Sequence, residues 1–143
     1  MRMRFVLGLA LLSAVGCGGS SYRFAPVSGK ITLDGKPLAG ASVNFQPIAV
    51  GSETGPGSAG KTNEKGEYSL TSTTGASGAW VGKHRVFVSV LTASKETTGD
   101  ERGGPKMTNK VPDKYNGYAG ETTLNCEVPP AGTNKADFEL RSR

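Results

Sequence analysis

The feature that most limits the fold of this chain is an alternation of apolar and polar side chains, repeated in several short runs. The clearest run covers residues 84–91, where His84 and three valines share one face. A period of two places successive side chains on opposite sides of a β-strand, whereas a helix needs a period near 3.6. Phe87 and Leu91 make the opposite face partly apolar, which is typical of a central strand.

Short strands separated by turn residues are predicted along most of the chain. The seven strands are residues 27–33, 41–45, 58–62, 67–72, 84–91, 122–128 and 136–140. Asp34-Gly35-Lys36-Pro37 forms the first turn, and Asn63-Glu64-Lys65-Gly66 forms a hairpin turn with glycine where a positive φ is needed. The 21 glycines and eight prolines fit a chain with many turns. No helix is predicted downstream of residue 16.

Three segments lack this alternation and are predicted to be irregular. Residues 48–57 are rich in Gly, Ser and Pro, and residues 75–82 form a glycine-rich corner that carries Trp80. Residues 93–120 are polar and show little periodicity. So long a loop is uncommon in a compact domain and is either functional or mobile.

Strands with one apolar face must bury that face against a second layer. Two antiparallel sheets packed about 10 Å apart achieve this. We therefore predict an all-β sandwich of seven strands. The sequence is long enough for one such domain with a substantial core.

Several segments in the right order resemble carboxypeptidase regulatory-like domains. Residues 27–45 (VSGKITLDGKPLAGASVNF) are similar to the opening of these domains, and residues 62–70 (TNEKGEYSL) and 82–88 (GKHRVFV) are similar to the strands that follow. Residues 111–115 (VPDKY) and 136–140 (ADFEL) are similar to the ending of small bacterial lipoproteins that contain this domain alone. The resemblance implies a transthyretin-like (prealbumin-like) Greek-key β-sandwich and no peptidase activity, because in the carboxypeptidases this domain accompanies the catalytic one.

The first 17 residues have the features of an export signal. Arg2 and Arg4 precede an apolar run at residues 5–12, and small residues lead to Cys17. The run is too short for a bilayer, which needs about 20 residues. Residues 14–17 (AVGC) resemble the lipobox of bacterial lipoproteins, in which the cysteine receives a diacylglycerol and becomes the mature N-terminus. An ordinary signal-peptidase cut at the same bond is the alternative.

This interpretation divides the chain into three parts. Residues 1–16 are a predicted lipoprotein signal peptide, residues 17–25 a lipidated cysteine with a flexible tether, and residues 26–143 the β-sandwich domain. The partner implied at the N-terminus is a membrane. Gly18 stands where the family's inner-membrane lipoproteins have Asp, so the resemblance implies an exported protein anchored at the outer membrane or cell surface.

Charge and motifs exclude several functions. The formal charge is +5, and Arg2 and Arg4 supply two of these charges, so the chain from Cys17 onwards carries +3. The basic residues are scattered among acidic ones, and no nucleic-acid partner is predicted. Residues 55–60 match the letters GxGxxG but lack the preceding strand and following helix of a dinucleotide site. No cofactor and no metal are predicted.

One histidine and two cysteines limit the catalytic chemistry. Zinc enzymes normally use three protein ligands, and a serine triad needs an imidazole beside its nucleophile. His84 shares a face with valines and is predicted to be a structural residue at the sandwich rim. Cys126 shares a face with Leu124 and Val128 and is predicted to act as a small buried apolar residue. An enzyme that uses Cys126 with His84 is the weakest of three hypotheses.

The leading hypothesis is a non-catalytic, membrane-tethered binding or structural module at the cell envelope. Its partner would be an envelope protein or a polysaccharide. The alternative is a carbohydrate-binding module of the cell surface. Trp80, Tyr115 and Tyr118 are its candidate contact residues, because aromatic rings in loops stack on sugar rings; capping the open ends of the sandwich is their structural interpretation.

Overall fold

The computed structural model describes residues 23–51, 54–93, 107–117 and 122–143. Within these ranges the chain is almost entirely β, with thirteen strands and one short helix. In chain order the elements are β1 (Phe24–Ala25), β2 (Ser28–Leu33), β3 (Lys36–Pro37), β4 (Ser42–Pro47), β5 (Ser58–Lys61), β6 (Glu67–Ser69), β7 (Thr71–Ser72), β8 (Ala79–Trp80), β9 (Gly82–Ser89), β10 (Leu91–Ala93), β11 (Met107–Asn109), α1 (Asp113–Asn116), β12 (Leu124–Val128) and β13 (Phe138–Leu140).

Two main sheets contain most of these strands. The larger has the order β12-β9-β4-β5-β7. The smaller has the order β13-β2-β3, and β6 also pairs with β2. The β13–β2 pair is parallel, so the end of the chain lies beside its first long strand. Two small ribbons, β1–β8 and β10–β11, lie outside the main sheets.

The core fills the space between the two sheets. In β4 every second side chain is buried, from Val43 through Phe45 to Pro47. Ile31 and Leu140 come from the smaller sheet and belong to the same apolar cluster. Because one cluster joins the inner faces of both sheets, the predicted all-β sandwich is confirmed.

Both predicted turns are confirmed by their backbone angles. Asp34 and Gly35 have φ values of 50° and 81°, the two positive angles that a type I′ hairpin turn requires. Gly66 has a φ of 77°. The Asn63 side-chain oxygen accepts hydrogen bonds from the backbone N–H groups of Lys65 and Glu67, at 2.9 and 3.0 Å, which holds this turn closed.

The single strand predicted over residues 67–72 is wrong, because the chain changes sheets at Leu70. β6 pairs with β2 in the smaller sheet, whereas β7 pairs with β5 in the larger one. At the crossing, the Leu70 N–H donates to the Val27 carbonyl. The side chain of Leu70 is buried between the sheets.

Two short elements correct the expectation that residues 93–120 are irregular and that no helix follows residue 16. β11 pairs with β10 as an antiparallel ribbon, and α1 forms one helical turn after Pro112. The turn ends at Gly117, which has a left-handed backbone. Tyr115 is the buried residue of this turn. Four residues are too few to give a helical period in the sequence.

The predicted N-terminal segments lie mostly outside the described ranges. Residues 1–22 contain the predicted signal peptide, Cys17 and most of the tether, and none of them is described. β1 falls within the segment 17–25 assigned to the tether, and it pairs with β8. Among the described residues, no helix has the length and apolar character needed to cross a membrane.

Candidate functional site

The structure brings His84 and Cys126 together as direct neighbours on adjacent strands. β12 runs antiparallel to β9 with Cys126 opposite His84 and Leu124 opposite Val86. Paired residues point to the same face of a sheet, with Cβ atoms about 4.5–5.5 Å apart. Val86 is fully buried, so this face is the inner one. The sequence shows both residues on apolar faces, but the register between the two strands is visible only in the fold.

His84 is fully buried, and its strand lies next to β12, the last strand in the order of the larger sheet. Its Nδ1 lies 3.0 Å from the carbonyl oxygen of Gly82. A carbonyl only accepts, so Nδ1 carries the proton and donates. Nε2 then holds a bare lone pair, and no described residue forms a hydrogen bond with it. Burial lowers the pKa of His84 because it disfavours the charged imidazolium.

Cys126 is a half-buried thiol next to this imidazole. Burial raises its pKa, and the charge of Glu127 adds to the effect. Both groups are therefore neutral near pH 7. A catalytic cysteine needs a thiolate, which a charged imidazolium or another cation stabilises. The surroundings of this pair favour the neutral thiol and the neutral imidazole, so they do not activate Cys126 as a nucleophile.

Aromatic rings form the wall around the pair. The Phe45 ring centroid lies 5.6 Å from that of His84, 6.2 Å from that of Phe138 and 6.5 Å from that of Tyr68. The Tyr68 hydroxyl donates to the Ala136 carbonyl oxygen at 2.6 Å. Burial raises the pKa of Tyr68, and the charge of an ionised Cys126 would add to this shift. We call His84, Cys126 and these three rings the thiol–imidazole corner.

A surface cavity of about 250 Å³ touches the thiol–imidazole corner. Its lining includes both His84 and Cys126, together with Ile48, Lys83 and residues of β12. β12 is the edge strand of its sheet, so the corner lies at the margin of the sandwich rather than at its centre. Small solutes therefore have a short route to the pair.

Trp80 and Tyr115, the two candidate aromatic contact residues that the structure describes, do not form one surface. Trp80 is in β8, half-buried, and a Cβ atom at Gly55 would lie 2.3 Å from its ring, so the loop backbone covers one ring face. Tyr115 is buried, and its hydroxyl accepts from the Arg141 N–H at 3.3 Å. Trp80 and Tyr115 lie near opposite ends of β2. Trp80 pairs with Phe24 of β1, just before β2 begins, whereas Tyr115 contacts Arg141, which follows the Leu140–Leu33 pair at the other end of β2. Tyr118 lies outside the described residues.

A polar groove of about 510 Å³ lies on the smaller sheet. It is lined by Lys30 of β2, Glu67 of β6, Asp137 just before β13 and neighbouring polar side chains. Asp137 is fixed there, because its carboxylate accepts from the Lys30 N–H at 2.7 Å. The sequence does not mark these residues as a candidate site, because exposed polar side chains are the ordinary surface of a sandwich. The groove therefore offers a polar partner positively charged hydrogen-bond donors and negatively charged acceptors.

Comparisons with known proteins identify no family. No family model matches the chain, and no curated protein matches it. Among solved structures it is similar to a 9R-lipoxygenase from Cyanothece PCC8801, with 13% identity and a TM-score of 0.41. The alignment covers 83% of this chain but only 16% of the lipoxygenase chain. At this degree of likeness the lipoxygenase has no bearing on the fold or activity of the present chain.

Proposed function

We propose that this protein is a non-catalytic lipoprotein of the bacterial cell envelope. In this proposal a carboxypeptidase regulatory-like β-sandwich is held at the membrane by a lipid on Cys17 and serves as a binding or structural module. The observation that supports it most is the order of features at the N-terminus: two arginines, the apolar run 5–12, and the small residues before Cys17.

The physical chemistry of the lipid favours stable attachment. Each buried methylene contributes about 0.8 kcal/mol, and two acyl chains hold a protein where one binds only reversibly. Residues 18–23 are all that separates Cys17 from the first strand at Phe24. At about 3.6 Å per residue, the seven steps from Cys17 to Phe24 reach at most about 25 Å. The proposed anchor therefore keeps the end of the sandwich that carries β1 close to the membrane.

The non-catalytic part of the proposal is supported by the thiol–imidazole corner. His84 is the sole imidazole of the chain, and burial keeps it neutral inside the sandwich. Cys126 is kept as a protonated thiol by the same burial. The two residue types most often used as base and nucleophile therefore serve the packing of the core.

The polar groove on β2 and β6 is the surface that we propose for a partner. Its mixture of cationic, anionic and amide groups suits an envelope protein or a polysaccharide, both of which present many hydrogen-bonding groups. Gly18 directly follows Cys17 and gives no Asp-type retention signal, which favours the outer membrane or the cell surface as the location.

Detergent phase partition tests the anchor. The wild-type chain, Cys17→Ser and Cys126→Ser are expressed in a bacterium with an outer membrane, and each lysate is separated into detergent and aqueous phases. We expect the wild type and Cys126→Ser in the detergent phase and Cys17→Ser in the aqueous phase or retained as an uncleaved precursor. Cys126→Ser is the matched control, because it removes the other thiol and leaves the lipobox intact. Equal partition of the wild type and of a Cys17→Ser chain that has lost residues 1–16 would contradict the proposal.

A further inference from the structure

The Nε2 atom of His84 is a buried acceptor that has no hydrogen-bond partner among the described residues. The residue has no exposed surface, and its Nδ1 proton is already given to the Gly82 carbonyl oxygen. Buried polar groups in native proteins nearly always have a partner, and an exception needs an explanation.

The metal-ligating group that the sheet register places beside His84 is the thiol of Cys126. The two residues are opposite each other on β9 and β12 and share the inner face. Zinc makes bonds of about 2.3 Å to sulfur and about 2.0 Å to nitrogen, so a metal of similar size between them spans about 4 Å. Cross-strand Cβ atoms about 4.5–5.5 Å apart allow that span. The cavity beside the pair gives an ion access from solvent to the half-buried thiol of Cys126, next to the buried ring of His84.

We propose that Cys126 Sγ and His84 Nε2 together bind one soft monovalent metal ion of the Cu(I) class. Thiolate is a soft ligand that selects Cu(I), and imidazole also binds copper. The charge balance favours a monovalent ion, because one thiolate and one cation make a neutral unit. A neutral unit costs little to bury among the rings of Phe45, Tyr68 and Phe138, whereas a divalent ion would leave a net positive charge there.

The number of ligands points the same way. Among the residues that the structure describes, no group of three or more His, Cys, Asp or Glu side chains is placed to share a metal ion. A structural zinc ion takes four protein ligands, so a pair of ligands suits an ion that accepts two. Binding replaces the S–H bond of Cys126 by a sulfur–metal bond, and the proton goes to water. The metal and the sulfur keep their oxidation states.

Silver(I), a redox-stable analogue of Cu(I), is the probe for the test. The full-length chain with Cys17→Ser leaves Cys126 as its only thiol, and His84 is the only histidine. The ring nitrogens of His84 therefore give unambiguous ¹⁵N signals without further mutation. We expect one silver ion per chain by titration, a large shift of the Nε2 signal with splitting by silver, an unmoved Nδ1 proton, and loss of Cys126 alkylation by iodoacetamide.

Two variants in the same background separate the ligands. Cys126→Ser should abolish the one-to-one binding and leave only the weak affinity of the methionine thioethers. His84→Gln should weaken binding by at least tenfold while Cys126 remains reactive, and circular dichroism checks that this variant folds. Where it does not fold, the ¹⁵N signal of the unmutated ring gives the answer. Silver binding that leaves Nε2 unmoved would overturn the proposal, as would a preference for Zn(II) or no binding above that of Cys126→Ser.

Discussion

At the scale of single residues, buried polar groups show how this sandwich uses its interior. His84 is buried in a neutral form, with one ring nitrogen bonded to the backbone of its own strand. Thr62 is nearly as buried and uses its hydroxyl twice, as a donor to the Leu38 carbonyl and as an acceptor from the Ala41 N–H. The stability of the fold should therefore depend on the protonation of His84 and on the presence of the Thr62 hydroxyl.

The burial of His84 makes the stability of the protein depend on pH. Its pKa is lowered in the folded state, so below about pH 6.5, the ordinary histidine pKa, the unfolded chain takes up a proton that the folded chain refuses. The free energy of unfolding should therefore fall with decreasing pH, by up to about 1.4 kcal/mol per unit, until the folded pKa is reached. Guanidinium unfolding between about pH 7.5 and about pH 5.5, above the range in which most carboxylates titrate, measures this slope.

The control for this effect is His84→Gln, which keeps a polar side chain but cannot titrate. Its unfolding free energy should change much less over the same pH range. A variant with the same pH slope as the wild type would show that other groups cause the dependence.

Replacing Thr62 by valine should destabilise the sandwich by about 2–3 kcal/mol. The Oγ1 atom lies 2.6 Å from the Leu38 oxygen and 2.8 Å from the Ala41 nitrogen, and valine leaves both backbone groups unpaired. Thr71→Val is the matched control, because Thr71 is exposed on β7, and it should change stability by less than about 0.5 kcal/mol. Similar urea midpoints for both variants would contradict the role of the Thr62 hydroxyl.

At the scale of elements, the sequence predicts the long strands and turns but not their breaks. The inner face of β9 and the two positive-φ turns follow from residue types alone. The change of sheet at Leu70 does not, because alternation continues through it without a turn residue. The pairing of Cys126 with His84 depends on strand register, which is set by long-range packing. Only the fold therefore reveals the thiol–imidazole corner.

The parallel contact between the end of the chain and β2 depends on a glycine in that strand. A Cβ atom at Gly29 would lie 2.0 Å from the carbonyl oxygen of Ala136, and backbone atoms cannot move aside as a side chain does. Gly29→Ala should therefore displace the chain before β13 and destabilise the protein by about 3 kcal/mol or more, at the upper end of overpacking effects.

Gly57→Ala provides the comparison for Gly29→Ala. Its φ is not positive, and its added Cβ would stop 3.4 Å from the Phe45 carbonyl oxygen, close to ordinary contact. Its melting temperature should stay within a few degrees of the wild-type value, whereas that of Gly29→Ala should fall clearly below both. Two equal melting temperatures would mean that the Ala136 segment is not held against β2.

At the scale of the whole molecule, the proposed anchor and the sandwich complement each other. The sandwich has an apolar core, a polar groove, and a thiol and an imidazole that are both neutral. The short segment 18–23 would hold β1 near the bilayer and leave the groove on β2 and β6 for a partner. The proposed function therefore depends on the lipid anchor and the polar groove, whereas His84 and Cys126 serve stability and the proposed metal site.

The intact mass of the mature protein from the membrane fraction shows whether Cys17 carries a lipid. We expect a chain that begins at Cys17 and is heavier than residues 17–143 by a diacylglycerol, with or without a further acyl group. Cys17→Ser should lack this added mass. A wild-type chain that begins at residue 17 with an unmodified thiol would overturn the lipid anchor and make the protein a secreted domain.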